Sequence, residues 1–417
     1  MIRPAAALLA LACAALAAAA EPVPGASVES LLAVARQQNP DYAAMRLEAE
    51  AAAARVTAAG ALPDPTLRVE LENITNAGSE AQPNLLPARV GDTKYTFIQP
   101  LPFWGKRELK QAAAAADASQ AQSRASAGWN DLAGRIKTTY AKAYLAARNE
   151  ALTREVLDLV GDLERLAQAR YASGLVPQQD VIRAQSERAN LHAELVNIEM
   201  ERHHLHTRLN ALLARPGNAA LAAPERLRPL PASLDAQALA ARLPAVNAQF
   251  AVEAARVAAA EKTRDLAYRN RYPDFALGVS PMQTRNRVAQ WGVMLELNIP
   301  LQQASRRAQE QEAESLLAAA QARREAALNQ ARADLEESLS ALDAARRVEQ
   351  LTASSLLPQA ELVYQAALSG YENGKLDFAT LLDAQRQIRK LRLDRLKAQV
   401  EAQMRLADIE RLLGEAS

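Results

Sequence analysis

Hydrophobic and polar positions alternate in two pairs of short segments that lie about 200 residues apart in this chain. The first pair, PTLRVELEN and KYTFIQP, has the period-two pattern of a β-strand with two different faces. The second pair follows residue 273, so we predict two β-hairpins, over 65–100 and 273–300. Their apolar face consists of Leu67, Val69, Leu71, Tyr95, Phe97, Phe275, Leu277, Val279, Trp291, Val293, Leu295 and Leu297. The other face carries Arg68, Glu70, Glu72, Lys94 and Glu296.

The segments around the hairpins predict long helices. No proline interrupts Phe103–Ala172, so about 70 residues form a helix about 105 Å long. Within it, hydrophobic residues spaced alternately by four and three predict coiled-coil-like packing. Shorter helices over Ser27–Gly60 and Pro177–Ala214 would together match its length. The second half repeats the plan over 234–270, 302–370 and 375–414, where Pro358 should kink the longest helix.

The two halves are copies of one unit. Tyr171 and Gly174, in ARYASGLVPQQDVIRAQ, recur as Tyr371 and Gly374 in SGYENGKLDFATLLDAQ. Both stretches lie where the chain turns back between helices, so we expect the glycines to adopt positive φ and the tyrosines to pack against the turns. The proline-rich linker Arg215–Ser233 separates the copies. The predicted repeats are therefore residues 21–214 and 234–417.

Composition excludes several classes of function. Only 4% of the residues are aromatic, and the abundant alanine favours helices over thick cores, which predicts a mainly α fold with a small β part. Lys and Arg number 49 against 48 Asp and Glu, so no strong field exists to attract nucleic acid. Neither a nucleophile elbow, a glycine-rich phosphate loop nor an H-E-x-x-H motif occurs. We therefore predict a protein that is not an enzyme and needs no cofactor.

The N-terminus has the pattern of an export signal. A basic residue, Arg3, precedes an apolar stretch and the small residues Ala18, Ala19 and Ala20, which predicts cleavage after residue 20. The competing interpretation is lipoprotein processing at Cys13, the only cysteine. In either case the mature chain has no disulfide.

Histidines offer the strongest metal motif. His203 and His206 lie three residues apart on a predicted helix and would reach one ion together. His192 is too distant along the helix to join them. A solvated helix face explains the cluster better, so we predict no metal site and keep His203 and His206 as weak candidates only.

Four features of the chain occur together in one known family: the export signal, the duplicated helix-strand-strand-helix-helix unit, the segment QPLPFWGKR and the two paired tips. In these features the chain resembles the TolC family of outer-membrane efflux proteins. The resemblance covers essentially the whole mature chain. It implies a homotrimer whose protomers each give four strands to a shared twelve-stranded transmembrane β-barrel, with the apolar strand face towards outer-membrane lipid. It also implies a periplasmic α-barrel tunnel of helices that docks onto a periplasmic membrane-fusion adaptor and an inner-membrane pump of the resistance-nodulation-division type. The segments PDPTLRVELENI and QPLPFWGKR are most similar to the heavy-metal and cation efflux branch, which implies metal ion export.

The resemblance also assigns a gate to the helical tips. Asp180 and Asp383 match aspartates that the family uses as acidic rings at the periplasmic end of the tunnel. Thr380 stands where the family has a further aspartate, and Leu376 replaces its locking arginine. Two alternatives remain for the closed state, which rests either on pairing of Asp180 with Lys375 or on Tyr371 and packing.

Two other classes of protein are weighed against a passive efflux conduit. A soluble periplasmic coiled-coil adaptor or structural protein would leave both the hairpins and the duplication unexplained. A metal-binding sensor would depend on the histidine cluster alone.

Overall fold

The structure is a computed structural model that describes residues 23–74, 91–284 and 287–415. The predicted export signal, with Cys13, lies outside these residues. Long helices form most of the molecule, and one four-stranded sheet stands at an end of them. Within the described ranges, no helix is both long and apolar enough to cross a membrane.

The sheet contains both predicted hairpins. Its strands are β1 (Thr66–Glu72), β2 (Asp92–Leu101), β3 (Asp274–Thr284) and β4 (Arg287–Asn298). They follow one another in chain order, and every neighbouring pair is antiparallel. The pairing of β2 with β3 joins the two repeats. Glu70 lies opposite Lys94, 3.5 Å away, so these charged side chains share one face of the sheet as the alternation predicted.

Nine α-helices lie in the described part of the chain. The first repeat contains α1 (Val28–Gln38), α2 (Pro40–Gly60), α3 (Lys106–Ala172) and α4 (Gln178–Leu212). The second contains α5 (Ala236–Val246), α6 (Ala248–Arg269), α7 (Gln303–Leu351), α8 (Leu357–Glu372) and α9 (Phe378–Leu413). Helices α2 and α4 both pack along α3, one beyond the other, and α6 and α9 do the same along α7. The length match predicted from the sequence is therefore realised as stacked short helices beside a long one.

The leading helix of each repeat is broken, whereas the sequence predicted one helix over 27–60 and one over 234–270. Asn39 and Asn247 occupy the breaks with extended backbone, and each caps the following helix with its side-chain oxygen. Each side-chain nitrogen donates to a carbonyl at the end of the returning helix, Asn39 to Leu212 at 3.0 Å and Asn247 to Leu412 at 2.9 Å. One asparagine thus satisfies both helix ends at the place where they meet.

The long helix of the first repeat begins at Lys106 rather than Phe103. Gly105 has φ 85° and ends the turn that leads from β2 into the helix, so no helix can extend back through it. In the second repeat, a π-helical turn over Thr352–Leu356 precedes α8. Pro358 lies just after this turn and has no N–H for a regular helical bond, so the distortion falls at the predicted position.

Residues 213–235, all of them described, carry no helix or strand and run across the middle of the bundle. The Tyr140 hydroxyl donates to the carbonyls of Ala26 at 2.8 Å and Arg226 at 3.1 Å, which ties this segment to α3 and to the N-terminal residues. Glu410 accepts from Lys137 at 2.7 Å and from Arg228 at 2.8 Å. The segment therefore fastens the two repeats to each other where the short helices abut.

Candidate gate at the helical tip

The α3–α4 and α8–α9 turns have the same backbone. Gly174 has φ 72° and Gly374 has φ 71°, as the sequence predicted for both. The N–H of Gly174 donates to Tyr171 at 2.9 Å, and the N–H of Gly374 donates to Tyr371 at 3.0 Å. The N–H of the residue after each glycine bonds a carbonyl one position further back, so both helices end in Schellman-type caps.

The two tyrosines differ in environment. Tyr371 is 1% exposed and packs edge-on against Phe378 with ring centres 5.4 Å apart. The Arg170 guanidinium lies 5.1 Å from the centre of the Tyr371 ring, and Arg170 also donates to the Glu372 carbonyl at 2.5 Å. Tyr171 is 46% exposed in the protomer, so the packing role predicted for both tyrosines has support there only at Tyr371.

Asp180 lies inside the tip. Asp180 is only 7% exposed. This burial raises the pKa of its carboxyl, Arg183 lowers that pKa, and Asp377 raises it further. Lys375 is exposed, and among the described residues it forms no ion pair with Asp180. The predicted pairing of Asp180 with Lys375 is therefore absent from the protomer, where Tyr371 instead belongs to a cluster of buried hydrophobic residues.

Asp377 caps α9, a role that was not predicted from the sequence. Its carboxylate accepts from the Thr380 N–H at 2.9 Å and from the Thr380 hydroxyl, and these bonds hold the pKa of Asp377 below its ordinary value. Thr380 therefore forms part of the N-terminal cap of α9. The signal was present in the sequence, because an aspartate immediately before the first apolar residue of a helix, here Phe378, is a helix-start signal.

Asp383 remains free to face solvent. Its side chain is 72% exposed, and its only described partner is Arg386, at 3.4 Å. Arg386 also donates to Glu187 of α4 at 2.5 Å, and the Glu187 side chain is only 6% exposed. One arginine thus links the acidic position on α9 to a buried carboxylate on the neighbouring hairpin.

Arg386 begins a ladder of arginines along α9, with members at every third residue. Arg389 pairs with Glu194 of α4, and Arg392 lies 2.8 Å from Glu155 of α3. Further along, Arg392 contacts Glu361 of α8 at 3.7 Å and Arg395 contacts Glu349 of α7 at 2.9 Å. Because three-residue spacing rotates steadily around a helix, the ladder connects α9 to four surrounding helices. This ladder was not predicted from the sequence, although the three-residue spacing of arginines is visible in RQIRKLRLDR.

The apolar strand positions form an exposed face in the protomer. Val293 is 85% exposed and Trp291 is 72% exposed, and the same face includes exposed Leu67, Val69, Phe97, Leu277, Val279, Leu295 and Leu297. Leu71, Tyr95 and Phe275 are partly buried.

The histidine cluster makes ordinary contacts. His206 Nδ1 lies 3.3 Å from the Gly217 carbonyl oxygen, and the ring centres of His203 and His204 are 6.5 Å apart. In the ranges that the structure covers, no group of three or more His, Cys, Asp or Glu side chains is arranged to hold a metal ion.

Comparisons with known proteins agree with this architecture. The sequence profile of the family described as outer membrane efflux protein matches residues 31–215 and 239–415. Among solved structures, the outer membrane protein VceC of Vibrio cholerae is 19% identical with a TM-score of 0.79, over 93% of this chain and 96% of that one. A membrane protein of Pseudomonas aeruginosa is 20% identical with a TM-score of 0.80, over 94% and 91%. The outer-membrane channel OprN is 21% identical with a TM-score of 0.77, over 93% and 89%.

No curated protein sequence matches the chain significantly. The family match spans both repeats, and the solved channels share the arrangement of long helices and a small sheet. This chain therefore belongs to the outer membrane efflux protein family, with a TolC-like fold whose helical tunnel lies in the periplasm.

Proposed function

We propose that three copies of this chain assemble into one passive efflux conduit, with their sheets closed into a transmembrane β-barrel. The observation that carries the proposal is the sheet itself. Among the described strands, β1 pairs only with β2 and β4 only with β3, so both edges are open. The apolar face is exposed as well. Closure with further copies removes the edges and places the apolar face against lipid.

A charge on the lipid-facing side tests this assembly. We expect Val293→Glu to reduce the amount of trimer recovered from outer membranes, because a carboxylate in the hydrocarbon region costs on the order of 2 kcal/mol in each protomer. The matched control is Gln290→Glu, which adds the same charge to the opposite face of β4. Size-exclusion chromatography of detergent extracts measures the trimer. Equal recovery of both variants would contradict the proposed orientation of the sheet.

We further propose that Asp383 lines the narrow periplasmic end of the tunnel. Support comes from its 72% exposed side chain near the α8–α9 turn, in contrast to buried Asp180. Threefold symmetry would turn one exposed carboxylate per protomer into a ring of three charges, which favours cations and resists anions. In this arrangement Asp180 contributes to the closed packing, together with Tyr371, and Lys375 is an exposed neighbour of the ring.

Replacement of Asp383 tests the ring. We expect Asp383→Asn to weaken the block of single-channel current by multivalent cations about tenfold, because the variant removes all three charges together. Asp162→Asn is the matched control, since Asp162 is also exposed and also pairs with an arginine three residues later, on α3. Planar-bilayer recordings give the blocking concentration. Unchanged block in Asp383→Asn would place the acidic ring elsewhere.

The efflux role of the family implies pump components as partners. We propose that the tip meets a periplasmic membrane-fusion adaptor and, through it, an inner-membrane pump of the resistance-nodulation-division type. A cation-selective ring suits cationic cargo, heavy-metal cations included. Co-purification with the adaptor and pump encoded by neighbouring genes measures the partnership, and metal tolerance of cells with and without this chain measures the cargo.

A further inference from the structure

An apolar groove lies at the foot of the sheet, beside the start of α3. Its volume is about 460 Å³, and its walls include Leu62, Phe103, Trp104, Phe275 and Leu295. Trp104 is 77% exposed at the mouth of the groove. The Trp104 ring centre lies 5.8 Å from that of Phe275, and the Phe103 ring stacks on Tyr272 at 4.6 Å.

An ion pair beside the groove holds the residues next to Phe103 and Phe275 in place. Lys106 Nζ donates to Asp274 at 2.8 Å and to the Tyr272 carbonyl at 2.8 Å, and the Lys106 side chain is only 6% exposed. The Phe103 N–H donates to the same Asp274 oxygen at 2.8 Å. These bonds fix the junction between strand and helix, so the groove is preformed.

Two opposite charges stand at the edge of the groove. Arg107 and Glu108 both contribute to its lining. No ion pair or hydrogen bond engages either side chain within residues 23–74, 91–284 and 287–415. A cation and an anion that neighbour each other without pairing are available for a ligand that carries both charges.

We propose that this groove binds one phosphatidylethanolamine molecule of the periplasmic leaflet. The proposal rests on the membrane orientation of the sheet given above. Leu277 and Leu295 line the groove and also belong to the apolar strand face, so an acyl chain that follows this face enters the groove directly. The lipid phosphate then meets Arg107, and its primary ammonium meets Glu108. Trp104 lies at headgroup level, where indole rings are favoured.

The second repeat supplies a natural comparison. Arg307 occupies the position equivalent to Arg107 at the start of α7 and is exposed. Gln303, Ala304 and Ala308 stand where the first repeat has Phe103, Trp104 and Glu108. The second repeat therefore has the arginine, but it lacks the aromatic residues and the glutamate. Attraction of a lipid phosphate to an arginine alone would be equal at both sites, whereas the proposed site, with its aromatic wall and acid, would bind the lipid more tightly in the first repeat.

Native mass spectrometry of the detergent-solubilised protein tests the site, with phosphatidylethanolamine, phosphatidylcholine and phosphatidylglycerol added separately. We expect phosphatidylethanolamine to bind about fivefold to tenfold more tightly than the other two, the effect of one charge-assisted hydrogen bond. Arg107→Gln should weaken binding of all three lipids, Glu108→Gln should abolish only the preference for phosphatidylethanolamine, and Arg307→Gln should change neither.

Equal affinity for the three lipids, or equal loss in Arg107→Gln and Arg307→Gln, would overturn the lipid site. The same spectra report the mass of the assembly. A trimer without lipid preference contradicts the lipid site alone, whereas absence of a trimer contradicts the proposed conduit.

Discussion

At the scale of single residues, the tip contains two aspartates with opposite pH behaviour. Burial raises the pKa of Asp180, so its ionised form destabilises the folded state, and this penalty disappears as the pH falls through the raised pKa towards the ordinary value. We expect Asp180→Asn to raise the free energy of unfolding at neutral pH by about 1 kcal/mol, the usual size of a stabilising substitution, because it removes a buried charge. Thermal unfolding followed by circular dichroism should show the gain shrinking in acid.

Asp377 serves as the control because its effect on stability should depend on pH in the opposite direction. Its hydrogen bonds to Thr380 lower its pKa, so its stabilising contribution is present above the ordinary pKa and is lost as the pH falls through the lowered one. Asp377→Ala should therefore destabilise the protein at neutral pH and less so in strong acid. A pH-independent gain in Asp180→Asn would show that the substitution acts through packing and not through charge.

At the scale of elements, the periodicity of apolar residues and the positions of proline and glycine predicted the four strands of the described residues and the long helices. Alternation identified both hairpins because one face of each strand is apolar. The breaks at Asn39 and Asn247 escaped prediction because each depends on a returning helix about 170 residues away, whose carbonyl the asparagine binds. The different environments of Tyr171 and Tyr371 have one local and one distant cause. Phe378 packs on Tyr371, whereas Gln178 occupies the equivalent position in the first repeat. The other contact of Tyr371 is Arg170, which lies about 200 residues away in the sequence and could not be predicted from it.

At the scale of the whole molecule, the two repeats have the same arrangement of helices and strands but contribute different charged residues to the tip. The first repeat supplies buried Asp180 and Glu187, and the second supplies exposed Asp383 and the arginine ladder. Separation of the α3–α4 hairpin from the α8–α9 hairpin would break the contact between Arg386 and Glu187. In the proposed conduit, this contact between repeats would be one restraint on opening of the tip.

Weakening that restraint should open the channel. Glu187 is 94% buried through its side chain, while Arg386 is about half exposed, so we expect Glu187→Gln to cost the closed tip about 1.4 kcal/mol, between the values for exposed and buried pairs. That loss raises the ratio of open to closed channels about tenfold. Glu194, which pairs with Arg389, is 33% exposed and therefore more exposed than Glu187. Glu194→Gln should have a smaller effect for this reason. Single-channel recordings compare the open probabilities. Equal open probability in wild type and Glu187→Gln would show that the hydrophobic packing around Tyr371 and Phe378 holds the tip closed without help from this ion pair.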